Sequence, residues 1–142
     1  MAFDLERFVA AQQDVYEGAL LELRQGRKTG HWIWFIFPQL VGLGRSEVSR
    51  LYAIGSIDEA RAYLEHPVLG PRLRECAGVV LATSGVTAEQ IFGSLDAMKV
   101  RSSMTLFYRA SPNEPLLVEM RERFYEGVPD EATDALLGYR GP

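Results

Sequence analysis

Residues 56–93 read SIDEARAYLEHPVLGPRLRECAGVVLATSGVTAEQIFG, and this stretch decides the fold because one helix signal follows another with no strand signal between. Ser56-Ile57-Asp58-Glu59 is a capping box, in which the serine hydroxyl can take the N–H of residue 59. The helix it opens puts Ala60, Tyr63 and Leu64 on one face and must end before Pro67, since a residue preceding proline avoids helical angles. Gly70-Pro71 starts another helix, with Pro71 at its first position and Leu73, Cys76, Ala77, Val80 and Leu81 facing inward up to Gly85. Thr87-Ala88-Glu89-Gln90 is a second capping box, and Gly93 closes the short helix that carries Ile91 and Phe92.

The same punctuation extends both ways. Leu5, Phe8, Val9, Ala19, Leu20 and Leu23 predict one amphipathic helix from Asp4, its N-cap, to Arg24, with Gly26 as its stop. Gln12 lies on that apolar stripe, where a buried amide needs hydrogen bonds from backbone or a polar pocket. Residues 31–38, HWIWFIFP, suit a strand or an irregular buried segment, with no second clear strand to pair with it. A short helix ends near Tyr52. Beyond Gly93, Ser94 or Asp96 caps a helix to about Ala110, with Leu95, Met98, Leu106 and Phe107 as buried candidates. Asn113 caps the next, through Leu116, Leu117, Met120 and Phe124, and Asp130 caps a last one through Leu137. The expectation is an all-α, compact multihelical single domain over residues 1–142.

Composition narrows the function. The chain has 142 residues, 47% hydrophobic and 24% charged, with a formal net charge of −4. This is globular composition, and the acidic balance argues against a general nucleic-acid coat protein. Cys76, the only cysteine, excludes an intrachain disulfide and a thiolate metal cluster, and fits a reducing cytoplasm. The N-terminus lacks a signal-peptide pattern and no apolar run is long enough for a membrane span. The charge is unevenly spread: residues 1–23, 24–50, 51–94, 95–111 and 112–142 carry −4, +4, −2, +2 and −4. The two positive segments also have the least ordinary composition.

Lys28-Thr29-Gly30-His31-Trp32-Ile33-Trp34-Phe35-Ile36-Phe37-Pro38-Gln39 holds both tryptophans and one of the two histidines. An indole can stack a base or a nicotinamide while nearby cations hold phosphate, or it can simply anchor a core. Gly42-Leu43-Gly44-Arg45-Ser46 could turn backbone N–H groups and the Arg45 fork toward an anion, or form a plain turn with Ser46 as N-cap. Its spacing is not that of a nucleotide-binding P-loop. In the third segment Lys99, Ser102 and Ser103 share a helix face beside Arg101. Thirteen arginines against two lysines make Lys99 a candidate anion ligand or base, with a structural ion pair as the alternative. His66 precedes Pro67 at a helix end, where the dipole favours a cationic ring. No metal-ligand spacing occurs, and no cofactor is implied.

In their order, Phe3–Phe8, Gly30–Gln39, Tyr63–Gly70 and Lys99–Phe107 resemble the small bacterial proteins grouped as domain of unknown function 1810. The tryptophan-rich and serine-rich stretches are the specific ones. The resemblance implies an all-helical single domain and carries over no catalytic residue.

The functional expectation is a pocket for a small anionic ligand, nucleotide- or ADP-ribose-like, drawing on His31, Trp32, Trp34, Gln39, Arg45, Ser46, His66, Lys99, Arg101, Ser102 and Ser103. A hydrolase or transferase acting at a glycosidic or phosphate linkage would take its acid or base from Glu65, His66 or Lys99. The alternative is a module without catalytic activity whose aromatic segment meets a protein partner. The pocket requires Arg45 and Lys99 to meet around one cleft with Trp32 or Trp34 on its wall.

Overall fold

The computed structural model describes residues 3–139. They form ten helices in an all-α arrangement: α1 Glu6–Gln12, α2 Tyr16–Arg24, α3 Ile33–Ile36, α4 Glu47–Leu51, α5 Ile57–Glu65, α6 Leu69–Ala82, α7 Ala88–Phe92, α8 Ser94–Ala110, α9 Pro115–Tyr125 and α10 Glu131–Leu137. Among the described residues the only strand-like pairing is an isolated parallel bridge between Leu40 and Ile54. Among the described residues no helix is long and apolar enough to cross a membrane.

Helix α8 is the hub, with α3, α5, α7, α9 and α10 all packed on it. Six successive residues, Ser102 to Phe107, are buried, so its second half is enclosed on every side. A helix in that position must satisfy its hydroxyls locally. Ser102 donates to the Met98 carbonyl at 3.1 Å and Thr105 to the Arg101 carbonyl at 2.8 Å, bonds back along the helix of the kind small hydroxyl residues make. Helix α6 forms the second layer against α2, α5 and α9, and one contiguous apolar cluster runs through all of these elements.

Several sequence expectations need correction. The helix expected over 4–24 is two, α1 and α2, and Asp4 does not cap it; Leu5 stands at that position without a side-chain cap bond. The amides of Gln13 and Val15 each reach back only three residues, to Ala10 and Gln12, which tightens the chain into a turn without shifting the phase of the apolar stripe. The aromatic run contains the single-turn α3, not a strand. Helix α6 starts at Leu69, so Pro71 is its third residue, still within the first turn whose N–H groups lack helical partners. Leu95 and Met98 are 76% and 65% exposed; Ala97, Val100 and Met104 take the inner positions. Helix α9 is entered through Glu114 and Pro115 rather than Asn113. Ser46, Ser56, Thr87 and Asp130 do cap α4, α5, α7 and α10.

Candidate functional site

The loop between α2 and α3 is organised by one carboxylate oxygen. Glu22 Oε1 accepts the backbone N–H of Thr29 at 2.6 Å and of Gly30 at 2.9 Å, and the indole N–H of Trp32 at 3.0 Å. The Lys28 amide donates to the Ile91 carbonyl at 2.7 Å, which fastens the loop to α7. Lys28 and His31 are thereby carried to the first turns of α8.

There the only two lysines of the chain meet on one acid. Lys28 Nζ lies 2.5 Å from Asp96 Oδ2, donates to the Gly30 carbonyl at 2.5 Å and stands 5.1 Å from the Trp32 ring centre; its side chain is 6% exposed. Lys99 Nζ is 3.4 Å from Asp96 Oδ1 and 5.5 Å from the Trp34 ring centre, with 35% of its side chain exposed. These groups, with His31, Ile33, Trp34, Phe35 and Val48, line a cleft of about 280 Å³. Lys28 is locked by short contacts, whereas Lys99 is loosely paired and reaches solvent.

Glu22 sets the pH behaviour of the loop. Burial works to raise its pKa, but the N–H donors of Gly30, Thr29 and Trp32 outweigh that and hold the carboxyl below its ordinary value. A depressed folded-state pKa contributes stability above the unfolded-state value and loses it as pH falls through the folded one. Glu22→Gln should therefore lower stability by about 1–2 kcal/mol at neutral pH. Its gap from the wild-type protein should narrow as pH falls through the ordinary carboxylate range, where the unfolded chain takes up the proton first, and close once the native carboxylate is protonated as well. Thermal melts of both proteins from pH 3 to 8 check this.

The expected site residues are only partly brought together. Lys99, Trp34 and His31 line the cleft. Trp32, 3% exposed, is core, so it cannot offer its face to a ligand or a partner. Arg45 is exposed and does not line the cleft, so the expected meeting of Arg45 with Lys99 does not occur and Lys28 takes that place beside Lys99. The Arg45 turn only borders the cleft, where a β-carbon on Gly44 would stand 2.8 Å from Trp34 Cη2 and 2.5 Å from Ser49 Cβ. Only glycine lets the turn approach the indole so closely. The Ser46 hydroxyl is engaged in accepting the Ser49 amide at 3.1 Å. Arg101 lies in a different cleft, of about 430 Å³, and donates to the Val128 carbonyl at 3.0 Å. Ser102 gives its proton to Met98, not to Lys99. Gln39 Nε2 and Ser103 Oγ are buried without a hydrogen-bond partner among the described residues.

His66 is engaged at the start of α6: its Nδ1 accepts the amides of Val68 at 3.1 Å and Leu69 at 3.2 Å, and its Nε2 lies 3.6 Å from Glu6 Oε1. Neither His66 nor the exposed Glu65 lines the cleft. Gln12 is satisfied through the Phe35 carbonyl at 2.7 Å and the Tyr63 hydroxyl at 3.1 Å. Burial pushes the Cys76 thiol up to about 12, so it is inert core. Among the described residues no group of three His, Cys, Asp or Glu side chains is placed to hold a metal ion.

Sequence reasoning gave Lys28 and Asp96 no role of their own in the site, although they open the first and third candidate segments, and missed Glu22. The scarcity of lysine singled out Lys99 and applied equally to Lys28.

The same framework occurs elsewhere. A family model described as protein of unknown function (DUF1810) matches residues 2–137. The chain belongs to the DUF1810 family. One solved structure, that of the conserved hypothetical protein Rv1873 from Mycobacterium tuberculosis, is 51% identical and superimposes with a TM-score of 0.94, covering 97% of this chain and 99% of that one. A comparison with curated proteins finds no match.

Proposed function

We propose that this DUF1810 protein is a cytoplasmic binder of a small anionic ligand carrying a flat ring, of mononucleotide size. The observation that carries the reading is the convergence of Lys28, Asp96 and Lys99 beside the half-buried Trp34 in one cleft. A pocket with apolar walls and a few convergent polar groups is the usual form of a small-molecule site. At about 280 Å³ it falls just under the ~300 Å³ at which such sites begin, which favours a mononucleotide over a complete ADP-ribose. Lys99 supplies the charge for phosphate and the Trp34 indole a surface for the ring. A hydrolytic or transfer reaction at a glycosidic or phosphate linkage would draw its acid and base from Asp96, Lys99 and His31, the titratable groups at the cleft besides Lys28.

Scanning fluorimetry and calorimetry with AMP, nicotinamide mononucleotide and ADP-ribose test the proposal. At least one mononucleotide should raise the melting temperature, and Lys99→Ala should weaken its binding by about tenfold or more, the worth of one charge-assisted phosphate contact. No shift with any of the three, or an unchanged affinity in Lys99→Ala, overturns it.

A further inference from the structure

We propose that Asp96 sets the charge capacity of the cleft at one anionic group, so that it takes a monophosphate or a single carboxylate and gains nothing from a diphosphate. The inference rests on the anion-binding reading above and deepens it. Two cations and one carboxylate share the cleft, and the asymmetry of their contacts decides how the charge is distributed. Lys28 is almost wholly buried, 2.5 Å from Asp96, held again by the Gly30 carbonyl and set over the Trp32 ring. A lysine so placed has its charge neutralised where it stands and cannot swing to a ligand. Lys99 is 3.4 Å from the other oxygen of the same carboxylate, and a third of its side chain meets solvent. Asp96 is thus satisfied by Lys28, and among the described residues of the cleft Lys99 is the cation whose pairing a ligand can replace without stranding a buried charge.

Lys28 acts in this scheme as a positioning residue. It holds the Asp96 carboxylate and so frees Lys99. Without Lys28, Asp96 would claim Lys99, and the cleft would become neutral. Without Asp96, both lysines would be available, and the cleft would accept two negative charges. Without either, Lys99 alone would remain and the original capacity would return.

The experiment uses inorganic phosphate and pyrophosphate, compact enough that size does not confound charge, with dissociation constants from calorimetry on the full chain. In the wild-type protein pyrophosphate should bind no more than about threefold tighter than phosphate. Lys28→Met should lose about tenfold in phosphate affinity, a modest share of what a unit charge is worth at such distances. The double variant Lys28→Met/Asp96→Asn, which buries no unpaired charge, should return phosphate affinity to within about threefold of wild type, on the same Coulomb reasoning. Asp96→Asn alone should favour pyrophosphate by about tenfold. If Asp96→Asn fails to fold with Lys28 unpaired, the wild-type ratio and the double variant still decide. Wild-type protein that binds pyrophosphate more than tenfold tighter, or a double variant that stays as weak as Lys28→Met, overturns the inference while leaving the anion site standing. Absence of binding by phosphate, pyrophosphate and every mononucleotide overturns both.

Discussion

Arg7→Ala should be among the most damaging single substitutions in this protein, costing about 3 kcal/mol, the lower end of what breaking a buried ion pair costs. Arg7 sits on α1, yet almost all its bonds lead elsewhere. Its Nε donates to the Leu51 carbonyl at 2.9 Å, Nη2 to the Ala53 carbonyl at 2.7 Å and Nη1 to Glu59 Oε2 at 3.1 Å. It also donates to the Asp4 carbonyl and lies over the Phe8 ring. One guanidinium therefore fastens α1 to the segment after α4 and to the first turn of α5. Alanine would leave the buried Glu59 with only the Gly55 amide, 2.7 Å away, as a donor to its carboxylate among the described residues. Lysine would not rescue it, because a single ammonium cannot reach three carbonyls and a carboxylate in different directions. Urea denaturation should show a lower midpoint for both variants with little change in slope. A loss under about 1 kcal/mol for Arg7→Ala would mean that the pair behaves as an ordinary surface contact.

Gly70→Ala should be comparably severe, against the expectation from helix propensity. Gly70 is the second residue of α6, where propensity alone predicts a gain of ~1 kcal/mol from alanine. A β-carbon there would fall inside the van der Waals surface of the Leu64 carbonyl oxygen, and would stand 2.8 Å from Arg74 Nη1 and 3.0 Å from the Leu64 carbonyl carbon. The obstacle is largely backbone, so it cannot rotate away. Moving it also breaks the 3.0 Å bond from Arg74 to the Leu64 carbonyl, and Arg74 is the residue that grips Glu114 with two bonds of 2.8 and 3.0 Å to hold the entry of α9. Overpacking plus one charged hydrogen bond gives a loss of about 3 kcal/mol. At this chain length that is on the order of 10 °C in melting temperature. Gly78, in the same helix with no atom near its missing β-carbon, is the control: Gly78→Ala should be neutral or stabilising.

What could be read from the sequence divides along physical lines. Caps are local chemistry, a hydroxyl or carboxylate meeting an amide three residues on, so Ser56, Thr87 and Asp130 were legible without any knowledge of the rest. The break between α1 and α2 was not, because a turn that preserves the phase of an apolar stripe leaves no mark in periodicity. The burial of α8 was misjudged at Leu95 and Met98 for a related reason: their size suggested core, but the side of the helix that faces inward is chosen by its neighbours. For the site, Trp34 and Lys99 were legible as unusual residues in unusual surroundings. Arg101 is adjacent to them only in sequence, since successive residues of a helix point about 100° apart, and Ser102, three residues from Lys99, spends its proton on the Met98 carbonyl. Lys28 and Asp96 come from segments nearly seventy residues apart, and only the packing of the α2–α3 loop on α8 joins them.

The place of α8 also bears on how the chain is made. Synthesis runs from the N-terminus, and α3 and α5 emerge well before the helix on which they pack. The aromatic run and the inner face of α5 can be covered early by α1 and α6, but their seats on α8 stay open until residues 94–110 have been translated and have cleared the ribosome. The first two thirds of the polypeptide therefore make a nascent chain with part of its apolar surface out, and its protection in the cell falls to whatever shields that surface until α8 arrives.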